Sequence, residues 1–180
     1  MTVRALLPLL ALLAAPALAQ NGVETYVQQA SEALGAPVGD VIGPSGSVEE
    51  MAAALLSLPA GTNAVVFNQT GTDNAIVAEQ TGLDNRVALS QIGSGNRTTL
   101  LQNGDRNLFT GIIFGDDNLV RLSQDGSDNQ YGLLMAGTNP EHIVRQEGDG
   151  NSANQIVAPG LQPAGIEQRG NGLQVLVERY

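Results

Sequence analysis

The stretch Gln69-Thr70-Gly71-Thr72-Asp73-Asn74 decides the fold, because its pattern Gln-x-Gly-x-x-Asn returns every eleven residues. The next copies begin at Gln80, Gln91 and Gln102. Continued to residue 168, the step places Gln at seven of ten positions and Gly two places later at nine of ten. Self-similarity at a fixed period is the sequence signature of stacked repeat proteins.

Within each unit, polar and apolar residues alternate with a period of two. Asn74, Ile76, Ala78 and Gln80 are each two residues apart, so an extended strand places all four on one face. The alternate positions are mixed in character, which is typical of a solvated face. The pattern predicts strands that carry two inward residues, most of them apolar, between two inward amides.

Two units form one rung, because like residues recur every 22 positions rather than every eleven. Gln is kept at 80, 102, 124, 146 and 168, whereas the column that begins at Gln69 and Gln91 continues as Ile113, Met135 and Val157. Strands 22 residues apart therefore stack in the same sheet. We predict an all-β fold, a parallel β-solenoid of 22-residue strand-turn-strand rungs with two facing sheets.

Stacked strands lie about 4.7–4.9 Å apart, so identical inward amides can donate and accept along the stack. The predicted amide ladder consists of Asn63, Gln69, Asn74, Gln80, Asn85, Gln91, Asn96, Gln102, Asn107, Asn118, Gln124, Asn129, Gln146, Asn151 and Gln168. Glycine between strands can take a positive φ. The predicted turn glycines are Gly71, Gly82, Gly93, Gly104, Gly115, Gly126, Gly137, Gly148 and Gly170.

The residues before position 63 differ from the repeats. Residues 1–19 carry Arg4, an apolar run and the small-x-small site Ala17-Leu18-Ala19, which predicts a secretory signal peptide. Residues 20–62 form a leader for which we predict two short helices, over 25–34 by apolar spacing and over 49–58 after a capping box at Ser47. The solenoid then spans residues 63–180. No stretch of the mature chain is long and apolar enough to predict a membrane span.

Composition excludes several classes of function. The chain has no cysteine, which excludes disulfides and thiolate metal sites, and its formal net charge of -10 argues against nucleic acid as a partner. The sole histidine, His142, falls on the inward phase of a strand and is interpreted as structural. We predict no catalytic residue, no cofactor and no metal site, so the protein is not expected to be an enzyme.

Acidic residues recur at the turns and leave one alternative open, a calcium-stabilised monomeric β-solenoid that serves as an adhesin or binding module. Calcium-binding β-solenoids use nine-residue units with paired glycines. The eleven-residue step and the absence of Gly-Gly in this chain favour the interpretation of these residues as turn formers and as charges that limit aggregation.

The repeated Gln-x-Gly-x-x-Asn unit, followed by another inward Gln, resembles the curlin repeat of bacterial curli over about residues 63–180. The motif amides of that family correspond to the predicted ladder from Gln69 to Gln168. The resemblance implies a secreted fibre subunit that polymerises into functional amyloid for cell adhesion and biofilm. It also implies self-association, association with other curlin subunits, and export and assembly partners at the outer membrane.

The last strand bears on the subunit type and on the growing end. Residues 173–180 keep the alternation but lose both ladder amides, which resembles the altered last repeat of nucleating, minor curlins. An open stack leaves unpaired backbone groups at both ends to which another subunit can add a strand. Because Asn63, Val65, Phe67 and Gln69 are intact, the N-terminal end is expected to be the better templating edge.

Overall fold

A computed structural model describes residues 24–30, 40–42, 51, 55, 57–138 and 140–180. Over these residues the chain forms thirteen strands. The strands are β1 (Glu24–Ala30), β2 (Asp40–Ile42), β3 (Ala64–Thr70), β4 (Ala75–Thr81), β5 (Arg86–Ile92), β6 (Arg97–Asn103), β7 (Leu108–Phe114), β8 (Leu119–Asp125), β9 (Gln130–Ala136), β10 (Glu141–Glu147), β11 (Ser152–Val157), β12 (Ile166–Arg169) and β13 (Gln174–Arg179).

The strands form two parallel sheets. Sheet A has the order β1-β4-β6-β8-β10-β12, and sheet B has the order β13-β11-β9-β7-β5-β3-β2. From β3 onward every paired residue lies 22 positions from its partner, as in Gln80 with Gln102 and Val65 with Val87. Each 22-residue rung thus gives one strand to each sheet, which confirms the predicted β-solenoid and its division into two sheets.

The core lies between the two sheets and is built from the inward positions of successive rungs. Val65, Val87 and Phe109 from sheet B face Ile76 and Val120 from sheet A, and none of the five is exposed. The rings of Phe109 and Tyr131 stack with their centroids 5.8 Å apart and their planes 7° apart. Identical register brings each inward side chain onto its counterpart one rung away, which is why the apolar residues pack in columns.

The helix predicted over residues 25–34 is wrong for residues 25–30, which belong to β1; residues 31–34 lie outside the described residues. β1 pairs in parallel with all seven residues of β4, and Gln29 lies opposite Gln80. Thr25, Tyr26 and Val27 favour extended structure, whereas a helix this short is marginal alone. Pairing with the open edge of β4 therefore stabilises the segment as a strand.

The second predicted helix, over residues 49–58, is described only in part. Met51, Leu55 and Ser57 are helical, and its other residues before 57 lie outside the described residues. Met51 and Leu55 are buried against Ala64 and Val66 on the outer face of sheet B. The predicted signal peptide, residues 1–19, also lies outside the described residues.

Candidate functional site: amide ladders and stack ends

A complete glutamine ladder runs through sheet A. The Nε2 of Gln80 donates to Oε1 of Gln102 at 2.7 Å, and Gln102 donates to Gln124 at 2.8 Å. Gln124 donates to Gln146 at 2.8 Å, which donates to Gln168 at 2.7 Å. All five side chains are buried, so the parallel register satisfies amides whose isolated burial would cost roughly 1–3 kcal/mol each.

The corresponding column in sheet B is only partly polar. Gln69 donates to Gln91 at 3.0 Å, and Nε2 of Gln91 donates to the hydroxyl of Thr98 at 2.6 Å. The column then continues as buried Ile113, Met135 and Val157. Thr98 provides the acceptor that a third Gln would have given, so the column changes from amides to apolar side chains without leaving Gln91 Nε2 unpaired.

The inward asparagines bind the turns as well as one another. The side chain of Asn85 donates to Gly104 O at 2.7 Å, while its Oδ1 accepts the backbone N–H of Asn107 at 3.1 Å. Six further inward asparagines donate to a turn glycine in the same way, namely Asn63, Asn74, Asn96, Asn107, Asn129 and Asn151. Each of these residues ties two rungs together through both ends of its amide.

The Asn column of sheet A ends at Asn118. Its Nδ2 donates to Asn96 at 2.6 Å, but the same position one rung later is Pro140. Proline has no backbone N–H to give, and the buried Oδ1 of Asn118 has no hydrogen-bond partner.

The turn glycines lie where a side chain would meet the next rung. Gly82 has φ +101°, and a Cβ on it would lie 2.1 Å from Gly104 O. Seven others have a positive φ, namely Gly71, Gly93, Gly104, Gly115, Gly126, Gly148 and Gly170. Gly137, which precedes Pro140, does not take a positive φ. Apart from Gly137 and Gly170, where an added Cβ would meet no atom closer than 3.6 Å, these glycines are required by both their positive φ and the spacing between rungs.

The turn aspartates fall into two structural groups that sequence reasoning did not separate. Directly after the turn glycine, Asp105 and Asp116 accept backbone N–H groups of the preceding rung at 2.9 and 2.7 Å. One position further, Asp73 and Asp84 lie in the left-handed region with φ 57° and 58°, which Asp tolerates better than most residues. The sequence pattern that could have identified the first group is the recurrence of Asp, Asn or Ser directly after the turn glycine.

The contacts of the turn aspartates are relevant to the alternative interpretation as a calcium-stabilised solenoid. Within the described ranges there is no group of three or more His, Asp or Glu side chains that could hold a metal ion. Asp149 likewise accepts the backbone N–H of Ser127 at 2.8 Å. The carboxylates are thus engaged between rungs rather than gathered around one point.

A polar cluster lies in the core around His142. Its Nε2 lies 2.5 Å from the hydroxyl of Tyr131, which donates to Oε1 of Gln155 at 3.2 Å. Since the hydroxyl has one proton, the arrangement fits a neutral imidazole with its proton on Nε2. Burial lowers the pKa of His142 to about 4 and raises the pKa of Tyr131. Tyr131 and Gln155 were not recognised as polar partners in the sequence, because Tyr131 contacts His142 across the two sheets and contacts Gln155 at an offset of 24 residues, outside the 22-residue register.

The two ends of the stack differ. At the N-terminal end β1 covers the whole of β4, and β2 pairs with Ala64, Val65 and Val66 of β3. The N-terminal end, expected to be the better templating edge, is thus partly covered by the leader: β2 pairs with three of the seven residues of β3, and β1 pairs with all of β4. Sequence reasoning missed this cover because β1 pairs at an offset of 51 residues and β2 at one of 24, outside the repeat.

At the C-terminal end, β12 and β13 are the edge strands. Val175 and Val177 are only half-buried against the core, and Leu176 is 67% exposed. Within the described part of the chain no strand pairs with the outer edge of β13. This end presents free backbone groups above an in-register stack.

In comparisons with known proteins, no family model, curated protein or solved structure matches the chain. No helix of the described segments is long and apolar enough to cross a membrane.

Proposed function

We propose that the protein is a secreted structural subunit of a curli-like extracellular amyloid fibre that serves cell adhesion and the biofilm matrix. The observation that carries this proposal is the outer edge of β13, with which no strand of the described residues pairs and which ends a stack of strands held in one register. Edge strands of this kind are templates for pairing with another chain. A second copy adds its own strands there and extends the cross-β stack.

The backbone geometry of β13 specifies which groups receive the next copy. Leu173 O accepts from Ser152 N at 2.7 Å, and Arg179 O accepts from Ala158 N at 2.9 Å. In a parallel pair both backbone groups of one residue point to the same side, and the side alternates along the strand. Gln174, Leu176 and Glu178 therefore direct their N–H and C=O groups away from β11, toward the incoming subunit.

The test uses purified residues 20–180. Incubation produces fibres that bind thioflavin T and diffract at spacings of about 4.7–4.8 Å and ~10 Å. Leu176→Pro removes one outward N–H at an exposed edge position, where proline is tolerated in a folded subunit, and it stops elongation. Leu176→Thr keeps the N–H and elongates normally. Persistent wild-type monomer without cross-β diffraction contradicts the proposal.

The altered last strand supports the minor, nucleating type of subunit within this proposal. In the last rung the ladder positions are occupied by Leu173, directly before β13, and by Arg179 at its end rather than by amides, and both residues are exposed. Deleting residues 173–180 separates the two types. A nucleator loses seeding and surface attachment while the elongation of a separate major subunit continues; a major subunit loses elongation itself.

The proposed partners are other copies of this chain, other curlin-type subunits and the export and assembly proteins of the outer membrane. The predicted signal peptide supports the secreted location. Detection of the chain on the outside of intact cells by antibody labelling, with and without residues 1–19, tests it; retention of the full chain inside the cell contradicts it.

A further inference from the structure

The outer faces of the two sheets differ in charge. On sheet A the outward positions of β4, β6, β8, β10 and β12 carry nine charged side chains, namely Glu79, Arg97, Arg121, Asp125, Glu141, Arg145, Glu147, Glu167 and Arg169. Ion pairs link them along that face, including Arg121 with Glu141 at 2.7 Å and Arg169 with Glu147 at 3.4 Å. The outward positions of β5, β7, β9 and β11 in sheet B carry a single charge, Arg86 at the N-terminal margin.

The uncharged face of sheet B holds an apolar groove of about 490 Å³. Its floor is formed by small outward residues, Ala88, Thr110 and Gly132, and one side by Ile112, Leu134 and Ile156. Phe114 and Leu134 on this face are each 41% exposed. The groove is continuous with the surface on which Met51 and Leu55 pack, since both of these residues line it.

We propose that this face is the surface through which two stacks of this protein pair side by side, sheet B against sheet B. The charge distribution favours a second copy of this chain as the partner of the groove. Copies with a net charge of -10 repel one another, and the sheet B face is the surface on which two copies can approach without bringing like charges together. The interface is the same patch on both partners, as two-fold pairing requires. Stacked sheets pack about 10 Å apart through interdigitated side chains.

The size of the face makes the pairing depend on polymerisation, so the inference rests on the proposed function. The three seven-residue strands β5, β7 and β9 and the six-residue strand β11 cover about 430 Å² per copy, or roughly 860 Å² for a pair, below the roughly 1,200 Å² of a stable interface. Single subunits therefore stay unpaired. In a fibre the column of Ile112, Leu134 and Ile156 recurs in every subunit, and the paired area grows with each one added.

Two matched substitutions test the pairing in assembled fibres. Leu134→Glu places a charge on the sheet B face, and Leu101→Glu places the same charge at a side chain 40% exposed on the sheet A face. Mass per length, measured by scanning transmission electron microscopy, is expected to halve for Leu134→Glu fibres and to stay at the wild-type value for Leu101→Glu fibres. Cross-β diffraction is recorded from wild-type, Leu134→Glu and Leu101→Glu fibres. Its presence in all three shows that the strands still stack as the proposed function requires, so a change in mass per length then reports loss of pairing alone.

Several outcomes overturn the inference. One is an unchanged mass per length in Leu134→Glu fibres, and another is an equal halving in both variants. A third is a wild-type fibre with the mass per length of a single stack, which would show that the groove stays covered within one copy. If Leu134→Glu forms no fibres, Leu134→Thr is measured instead, because Thr keeps strand propensity. Failure of both variants to elongate, with Leu101→Glu fibres normal, assigns the face to elongation rather than pairing. Absence of wild-type fibres removes both proposals.

Discussion

The buried side-chain oxygen of Asn118 has no hydrogen-bond partner, and Pro140, which follows Asn118 one rung later in the same column, has no N–H to donate. One rung earlier, Oδ1 of Asn96 accepts the N–H of Asn118 at 3.2 Å. A single substitution in the repeat, Asn to Pro at position 140, thus leaves this buried acceptor without a donor.

Pro140→Asn is expected to stabilise the protein by about 1–2 kcal/mol, because it restores the missing donor and extends the Asn column. The change also removes proline from the unfolded chain, which works in the opposite direction by about 0.4–1 kcal/mol. Pro159→Asn, at an exposed position, serves as the control, because it removes a proline from the unfolded chain without restoring a buried hydrogen bond. Urea unfolding of the monomers measures the difference between the variants, and equal free energies of unfolding would contradict the expectation.

Gln102→Leu interrupts the sheet A ladder at its second position. It removes both the acceptor of Gln80 Nε2 and the donor to Gln124 Oε1, so we expect a loss of about 2–4 kcal/mol in the free energy of unfolding. Gln130→Leu makes the same chemical change at an exposed outward position and is expected within about 0.5 kcal/mol of wild type. Equal effects at the two sites would show that the ladder contributes nothing specific.

Gly104→Ala tests the spacing between turns. Gly104 has φ +109°, and an added Cβ would lie 2.1 Å from Gly126 O, so the turn must shift and we expect a loss of at least about 2 kcal/mol. Gly160 also has a positive φ, +82°, but nothing lies within 4 Å of its Cβ position. Gly160→Ala is therefore expected to cost only about 1 kcal/mol. Thermal unfolding of the two variants compares the costs.

Acid is expected to weaken the fold through His142. Burial lowers its pKa to about 4 in the folded protein, against an ordinary value of about 6.5. The unfolded chain therefore takes up the proton first as the pH falls. This one group removes about 3 kcal/mol of stability between pH 7 and pH 4.

Replacing the histidine separates its titration from that of the many carboxylates. His142→Gln lacks the ionisable ring, so its free energy of unfolding should fall less between pH 7 and pH 4 than that of the wild type. Urea titrations at several pH values measure both curves. Parallel curves for the two proteins would show that His142 does not titrate in this window.

Calcium is expected to leave stability unchanged. The carboxylates of Asp105, Asp116 and Asp149 already accept backbone N–H groups between rungs. Differential scanning calorimetry with excess calcium and with chelator should give the same midpoint. A large shift upward in calcium would favour the adhesin-type solenoid instead.

The repeat region was predictable because inward residues recur with one period. Gln80, Gln102 and Gln124 fix the rung length and the inward face together, since a one-residue slip would turn every inward side chain outward. β1 was not predictable in this way, because the spacing of Val27 and Ala30 fits a helix as well as a strand. The segment forms a strand because it pairs with the open edge of β4. The contact of Tyr131 with His142 depends on how the two sheets face each other, which a strand pattern does not contain.

The constant 22-residue offset between paired strands limits how a gene for such a chain can lengthen or shorten. Duplicating or deleting one whole 22-residue rung leaves every remaining residue above its counterpart in the same column. An insertion of any other length within a strand would set Gln above Ile or Leu and break several columns at once. Homologous variants should therefore differ in size by steps of one complete turn, with irregular insertions confined to segments such as 158–165, where the chain leaves the sheets.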